Sequence, residues 1–442
     1  MLDIGNPIGI INKFKSYRSV RIFIPDIPSS VCAAKIITEI LHKELIRFEM
    51  DFQPEKVEHH SDQDLNVFID LDPRECKNFL SLCGQENSSL QGSWFVCTCK
   101  PNWIHSCMLA YSLAKAMNYV TTDVLWAMIV CFGFHRIFTK DLTPVDDLEN
   151  ESNFSDSICA GCRELHADLV FEIQRAGVLT DTDGLYYVER PCISFLNFTS
   201  LFSALQNDIP FVVSNKIYYK KNKSAEAQRI CEYLARKGIS REASYELYGN
   251  LGYSTKALIE SHFRKRKCFV KKIGYGIEVS PIENFFLICH HLLKGARVDA
   301  FLCLSSREVL GMKESIKIHH ELIWIYRDSL ANIRKLGNIL LFRINISETL
   351  KGMAIGVLVH LFEHYFDMYI RRRYSPSFRQ MIIFQGYLED RFIVTTDDPP
   401  ISSELFHRRE RLGGYVVMNR NELFEIIAKV KTKTGEVSSI AV

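Results

Sequence analysis

Val20-Arg21-Ile22-Phe23-Ile24, followed by Pro25-Asp26-Ile27-Pro28-Ser29-Ser30 and then Val31-Cys32-Ala33-Ala34-Lys35-Ile36-Ile37, decides the fold class. The first run is apolar and β-branched, which predicts a buried strand, and the Pro/Asp/Ser cluster reads as a turn. An amphipathic helix is expected from Val31 to Lys43. Two more apolar runs follow at α/β spacing, Leu65-Asn66-Val67-Phe68-Ile69-Asp70 and Ser93-Trp94-Phe95-Val96-Cys97. Strands separated by helix-length segments imply a parallel sheet, and such sheets bind ligands at the carboxyl ends of their strands. Those ends carry Asp26, then Asp70 and Asp72, then Thr98-Cys99-Lys100. A two-metal phosphodiester site needs several converging carboxylates and histidines, and these ends offer too few.

The chain has 442 residues, 24% charged and 47% hydrophobic, the composition of an ordinary globular protein of two or about three domains. A formal net charge of +2 excludes a globally basic nucleic-acid coat, so any DNA contact must come from local patches. The 14 cysteines are scattered, and Met1 to Lys15 has no basic stretch followed by an apolar core, so they read as reduced thiols in the nucleus or cytosol. No window reaches the roughly 18 uncharged apolar residues of a membrane span.

Further along, Ile104 to Lys115 and Val124 to Phe138 read as apolar helices packed on the first sheet. Residues Asp146 to Ser157 are acidic and without periodicity, which predicts an exposed loop. A helix is expected from Arg163 to Ala176, and a turn from Asp181 to Gly184. Helices then dominate: Ala225 to Lys237 closed by Gly238, Ser240 to Gly249, Ser254 to Lys267, Pro281 to Leu293, and Met312 to Leu336 stopped by Gly337. The last part returns to α/β, with strands at Asn338 to Ile346, Met381 to Gln385 and Arg391 to Thr395, and helices at Met353 to Arg373 and Arg420 to Lys431. No internal repeat is visible. The expected divisions are 1–221, a parallel-sheet α/β domain; 222–311, a helical connector; and 312–442, a smaller C-terminal α/β domain.

This order, and several strings within it, resemble the cell division control protein forty-five family, replication factors descended from the RecJ-like DHH phosphoesterases. The resemblance is carried by Arg21-Ile22-Phe23-Ile24 with Val31-Cys32-Ala33-Ala34-Lys35-Ile36-Ile37, by Trp94-Phe95-Val96-Cys97 and by Asp123-Val124-Leu125-Trp126-Ala127-Met128-Ile129-Val130. Gly274-Tyr275-Gly276 with Ile277-Glu278-Val279-Ser280-Pro281-Ile282-Glu283-Asn284 completes it. It implies a DHH-phosphoesterase-like first domain and a DHHA1-like last one. The RecJ-like nucleases carry Asp-x-Asp in the first loop and Asp-His-His after a later strand. The matching loop positions here are Ile27 and Ser29, with Asp26 one place early, and the later strand ends in Cys99 and Lys100. The resemblance therefore makes Asp26, Ser29, Asp70 and Cys99 vestigial metal-site positions; a lone carboxylate cannot hold two hard cations against water. No catalytic residue, metal or cofactor is expected.

Other constellations have plain readings. Cys159-x-x-Cys162, with Cys97, Cys99, His105 and Cys107, has only part of the regular spacing of a zinc site and reads as ordinary thiols. His360 and His364 share a helix face but lack a His-Glu-x-x-His arrangement, so a packed surface is expected. The pairs His59-His60, His290-His291 and His319-His320 receive no role. DNA-contact candidates are Tyr218-Tyr219-Lys220-Lys221, Arg264-Lys265-Arg266-Lys267 with Lys271-Lys272, Arg371-Arg372-Arg373, and Arg408-Arg409 with Arg411. Such runs also serve as solvated helix ends.

By resemblance, the expected function is a nuclear, non-enzymatic scaffold that joins the MCM helicase hexamer and the GINS complex, with single-stranded DNA and a replicative polymerase as further partners. Leu287, Ile288, Leu292 and Leu293 fit either an exposed partner face or a core. Two other classes compete: a divergent manganese-dependent exonuclease built on Asp26, Asp70 and Asp72, and a stand-alone single-strand binder with steep salt dependence.

Overall fold

The computed structural model describes residues 7–52, 64–70, 79–82, 94–95, 105–138, 160–179, 184–191, 193–215, 217, 223–263, 265–273, 277–305, 310–375, 377–388, 391–396 and 415–434. The chain divides into two compact units that are interleaved in sequence: Met1–Ile137, Ser155–Cys192 and Lys265–Met312 form one, and Phe138–Phe154, Ile193–Arg264 and Lys313–Val442 form the other. Elements are numbered in chain order.

The first unit holds α1 (Pro7–Lys15), β1 (Ser19–Phe23), α2 (Pro28–Lys43), β2 (Phe48–Asp51), β3 (Asp64–Ile69), β4 (Phe79–Leu82), β5 (Trp94–Phe95), α3 (His105–Ala116), α4 (Thr122–Phe138), α5 (Ala160–Leu179) and β6 (Leu185–Pro191). It then takes up β7 (Lys265–Ile273), β8 (Ile277–Val279), α11 (Pro281–Leu293) and α12 (Arg297–Leu302). Its main sheet has the order β2-β1-β3-β4-β5, with every described pairing parallel. The expected α/β class with a parallel N-terminal sheet is therefore what the chain adopts. Val20, Ile22 and Phe23 are buried, and Phe23 stacks on Phe68 of the neighbouring strand with ring centroids 4.7 Å apart. α2 opens on Pro28, whose missing N–H suits the first helical turn. It is buried nearly all round, because it lies within the unit instead of covering it.

α11 has the strongest local start signal of the chain. Ser280 and Glu283 form a reciprocal capping box, with Pro281 as the first helical residue. Leu287, Ile288, Leu292 and Leu293 are buried at 0–2% exposure, so these residues are core and not a partner face. Phe285 stacks on Phe134 of α4 with centroids 3.7 Å apart, and the Trp126 indole N–H donates to Asn284 Oδ1 at 2.6 Å. β6, β7 and β8 form a separate antiparallel sheet. Here the structure corrects the expected helix Ser254 to Lys267. The helix ends at His262, and Lys265 to Lys267 begin β7, paired with Pro191, Arg190 and Glu189. Cross-strand pairing over seven residues outweighs the helical preference of a short Arg/Lys run.

The second unit holds α6 (Leu201–Asn207), α7 (Ile209–Ser214), α8 (Lys223–Arg236), α9 (Arg241–Tyr245), α10 (Tyr253–His262), α13 (Met312–Ala331), β9 (Arg334–Leu336), β10 (Ile339–Asn345), α14 (Ile355–Arg373), β11 (Arg379–Leu388), β12 (Arg391–Thr396), β13 (Val416–Asn419) and α15 (Arg420–Thr434). The expected long helix Met312 to Leu336 stops at Ala331, and its last residues turn through Gly337, at φ +57°, into the β9–β10 hairpin. The sheet runs β13-β12-β11-β10-β9; only β10–β11 is parallel, bridged by α14. This is the expected smaller C-terminal α/β part. One core cluster joins the α6–α10 helices, from Leu201 and Val212 to Ile259 and Phe263. A second lies between the sheet and α15, around Met381, Val394 and Leu423.

This unit encloses two histidines that must stay neutral. Burial pulls His319 down to about 3 and His360 down to about 4. His319 Nε2 contacts the Asn207 carbonyl at 3.1 Å, and His360 lies edge-on to His364 at 4.7 Å in the packed α14. Below pH 6.5 the unfolded chain binds protons that the folded one refuses, so stability falls as pH falls toward 4. Going from pH 7.5 to pH 5 removes roughly 2 kcal/mol per histidine. Urea unfolding at the two pH values checks this, and the change should shrink in His360→Gln; a profile unaltered by that substitution refutes it.

Candidate functional site

The carboxyl ends of β1 and β3 lie side by side, because Phe23 pairs with Phe68 in parallel register. Asp26 follows β1 in the turn before α2, and Asp70 follows β3 with φ +51°, a left-handed conformation that Asp tolerates. The structure thus places both sequence-predicted carboxylates at the end of the sheet where α/β folds hold ligands. Each is already engaged by protein donors.

Arg297 of α12 donates from Nε to Asp26 Oδ1 at 2.7 Å and from Nη2 to Asp26 Oδ2 at 2.8 Å. This planar fork uses both carboxylate oxygens. Asp70 Oδ2 accepts from Ser30 Oγ at 2.6 Å and Ser106 Oγ at 2.7 Å, hydroxyls from the first turns of α2 and α3. A little of Asp70 still touches solvent, but the crowding of protein around it raises its carboxyl above the ordinary range, against the lowering effect of the two serines. Ser29 is buried in the first turn of α2. Lys35, one helical turn beyond Val31, pairs with Glu39 at 2.7 Å and Asp123 at 3.5 Å, and its ammonium lies 5.3 Å from the centre of the Phe301 ring.

The surrounding thiols are protonated. Burial drives Cys32, Cys107 and Cys289 well above the usual thiol range and Cys303 up to about 12. Protonated thiols are poor nucleophiles. Among the described residues no group of three or more His, Cys, Asp or Glu side chains could hold a metal ion. A divalent cation at Asp26 would have to displace the guanidinium, and the donor set does not fit one.

Replacing Asp70 by Asn tests this environment. The amide keeps an acceptor for Ser30 and Ser106 and removes a charge that burial disfavours. Since the folded carboxyl is raised, its ionisation lowers stability as pH rises above the unfolded value, and that loss persists at pH 7. Asp70→Asn should therefore raise the thermal midpoint at about pH 7.5 and leave it unchanged near pH 3.5; a lower midpoint at the higher pH contradicts it.

Asp72, Cys99, Lys100, Cys159, Tyr218, Tyr219, Lys220, Lys221, Arg264, Arg408, Arg409, Arg411 and the acidic segment 146–157 lie outside the described residues. So do the side chains of Cys162, Lys265, Arg266, Lys267 and Arg372. Of the other basic positions, Arg371 pairs with Asp367 at 2.5 Å, and Arg373 donates to the Val213 carbonyl at 2.9 Å. Lys271 Nζ donates to the Leu304 carbonyl at 2.9 Å, and Lys272 lies 4.7 Å from the centre of the Tyr186 ring. Arg297, Ser30 and Ser106 escaped the sequence reading. Arg297 stands 271 positions from Asp26, and nothing local marks it as a partner.

No family model and no curated protein matches the sequence. Among solved structures, CDC45 from Entamoeba histolytica superposes with a TM-score of 0.69 at 11% identity, over 98% of this chain and all of that one. The chain has the fold of CDC45. RecJ from Thermus thermophilus in complex with Mn2+ aligns with a TM-score of 0.46 at 10% identity, over 98% of this chain and 54% of RecJ. An exonuclease RecJ bound to manganese aligns with a TM-score of 0.39 at 9% identity, over 98% of this chain and 95% of that one. Among the described residues no helix is long and apolar enough to cross a membrane.

Proposed function

We propose that this chain is a non-catalytic replication factor of the CDC45 type, acting in the nucleus as a scaffold that joins the MCM helicase ring and GINS into the active replicative helicase. The observation that carries this reading is the superposition on CDC45 along both whole chains. The Asp26–Arg297 pair adds to it, because metal-dependent hydrolysis of a phosphodiester needs a cation with open positions to activate water, and a guanidinium offers none. A scaffold role calls for broad mixed-polarity surfaces on rigid elements. Single-stranded DNA and a replicative polymerase are further partners in this reading.

Two measurements test it. Affinity capture of the tagged chain from replicating cells should co-purify MCM and GINS subunits; recovery of neither removes the assembly role. Incubation of the full chain with single-stranded DNA and Mn2+ should leave the DNA intact. Cleavage abolished by Asp70→Ala would establish the exonuclease alternative instead.

A further inference from the structure

The positive charge at the strand ends comes from the chain itself. We propose that Arg297 is a resident substitute for a divalent cation, holding Asp26 and α12 in place as a metal would while offering no coordination position for chemistry. The inference rests on the non-catalytic reading and goes one step further, to the residue that replaced the ion.

Three observations carry it. Asp26 sits at the carboxyl end of β1, beside the end of β3 that bears Asp70. Both oxygens of Asp26 accept from Nε and Nη2 of Arg297, at 2.7 and 2.8 Å, so the position in front of the carboxylate is filled by the guanidinium. α12 is seated a second time: Phe301, one turn after Arg297, lies under the Lys35 ammonium at 5.3 Å, and Lys35 is itself fixed by Glu39 and Asp123. A guanidinium differs from Mg2+ or Mn2+ in the respects that matter. It carries one charge in a plane and binds no water as ligand, so it neutralises a carboxylate without generating a bound hydroxide. Its helix brings it to the site, so no free ion has to be captured.

The test uses the full chain, its Arg297→Ala variant and the Asp26→Asn/Arg297→Ala double variant, with Mn2+ as the probe. Wild type should show no stoichiometric Mn2+ by electron paramagnetic resonance and no change of thermal midpoint at millimolar Mn2+. Arg297→Ala should melt about 2–4 °C lower, and Mn2+ should restore part of that loss. The double variant, with no Asp26 charge to compensate, should melt above Arg297→Ala and ignore Mn2+. Should Arg297→Ala fail to fold, its recovery on refolding with Mn2+, beside a double variant that folds without the ion, upholds the inference, and no recovery with Mn2+ overturns it. Stoichiometric Mn2+ in wild type that Asp26→Asn abolishes would overturn it, as would an equal Mn2+ response in both variants. Absence of the Mn2+ response in Arg297→Ala sinks the substitute role alone, whereas cleavage of DNA by wild type sinks the non-catalytic reading.

Discussion

Trp126→Ala should destabilise the first unit by about 4 kcal/mol, because a Trp side chain lost from a packed interior costs roughly 3–5 kcal/mol. Trp126 is fully buried on α4, and its indole N–H donates to Asn284 Oδ1 at 2.6 Å. Truncation opens a cavity and also strands the amide oxygen of Asn284, a residue 4% exposed. Trp126→Phe keeps most of the volume and loses only the donor, so its loss should be nearer to about 1–3 kcal/mol. Of a typical total of about 5–15 kcal/mol, the alanine loss is large enough to reduce soluble yield. Denaturant titration by near-ultraviolet dichroism compares the two variants. Equal losses would show that the hydrogen bond, and not the packing, fastens α4 to α11.

Glu226→Ala should cost the second unit about 3–5 kcal/mol, the range for a buried ion pair that loses one partner. Glu226 on α8 accepts from Nη1 of Arg327 on α13, and both side chains are nearly enclosed, at 13% and 9% exposure. Among the described residues, Nε and Nη2 of Arg327 have no hydrogen-bond partner, so Glu226 is the main compensation for its charge. Burial already pulls Arg327 below its ordinary range, and Glu226 opposes that pull. Gln206 Nε2 also loses its acceptor on Glu226 Oε1. Glu226→Ala/Arg327→Met removes both charges and should recover most of the loss. A double variant as unstable as Glu226→Ala would locate the effect in packing instead of charge.

Legibility in the sequence followed length and apolar content. β1, α2 and β3 were readable because Val20 to Ile24 and Leu65 to Ile69 are short, mostly apolar runs rich in β-branched and aromatic residues, and a turn cluster separates the first from a helical pattern. α11 was readable from Ser-Pro-x-Glu before an apolar stretch. The four-residue strands Phe48–Asp51 and Phe79–Leu82 and the strand Val416–Asn419 were missed, since segments so short carry too little periodicity to stand out. Only the start of β7, Lys265 to Lys267, reads as helix, because these residues have no alternation, and their strand state comes from β6, a distant segment of the chain. The candidate site was half readable. Asp26 and Asp70 were found from their places after predicted strands; Ser30 and Ser106 were not, because a hydroxyl in a first helical turn looks like any cap.

By itself, the order of apolar runs, turns and helical faces determined that this chain builds a parallel α/β layer first and a smaller α/β layer last, since burial of those runs admits few arrangements. Its strand-end residues also set the expectation that too few acids are present there to hold two metal ions. Tertiary structure alone decided that Leu287, Ile288, Leu292 and Leu293 are interior and that Arg297 closes on Asp26 from 271 residues away. The reason is physical: local composition sets what a segment can bury, whereas the partner of a charge depends on which distant side chain the finished packing brings within about 3 Å.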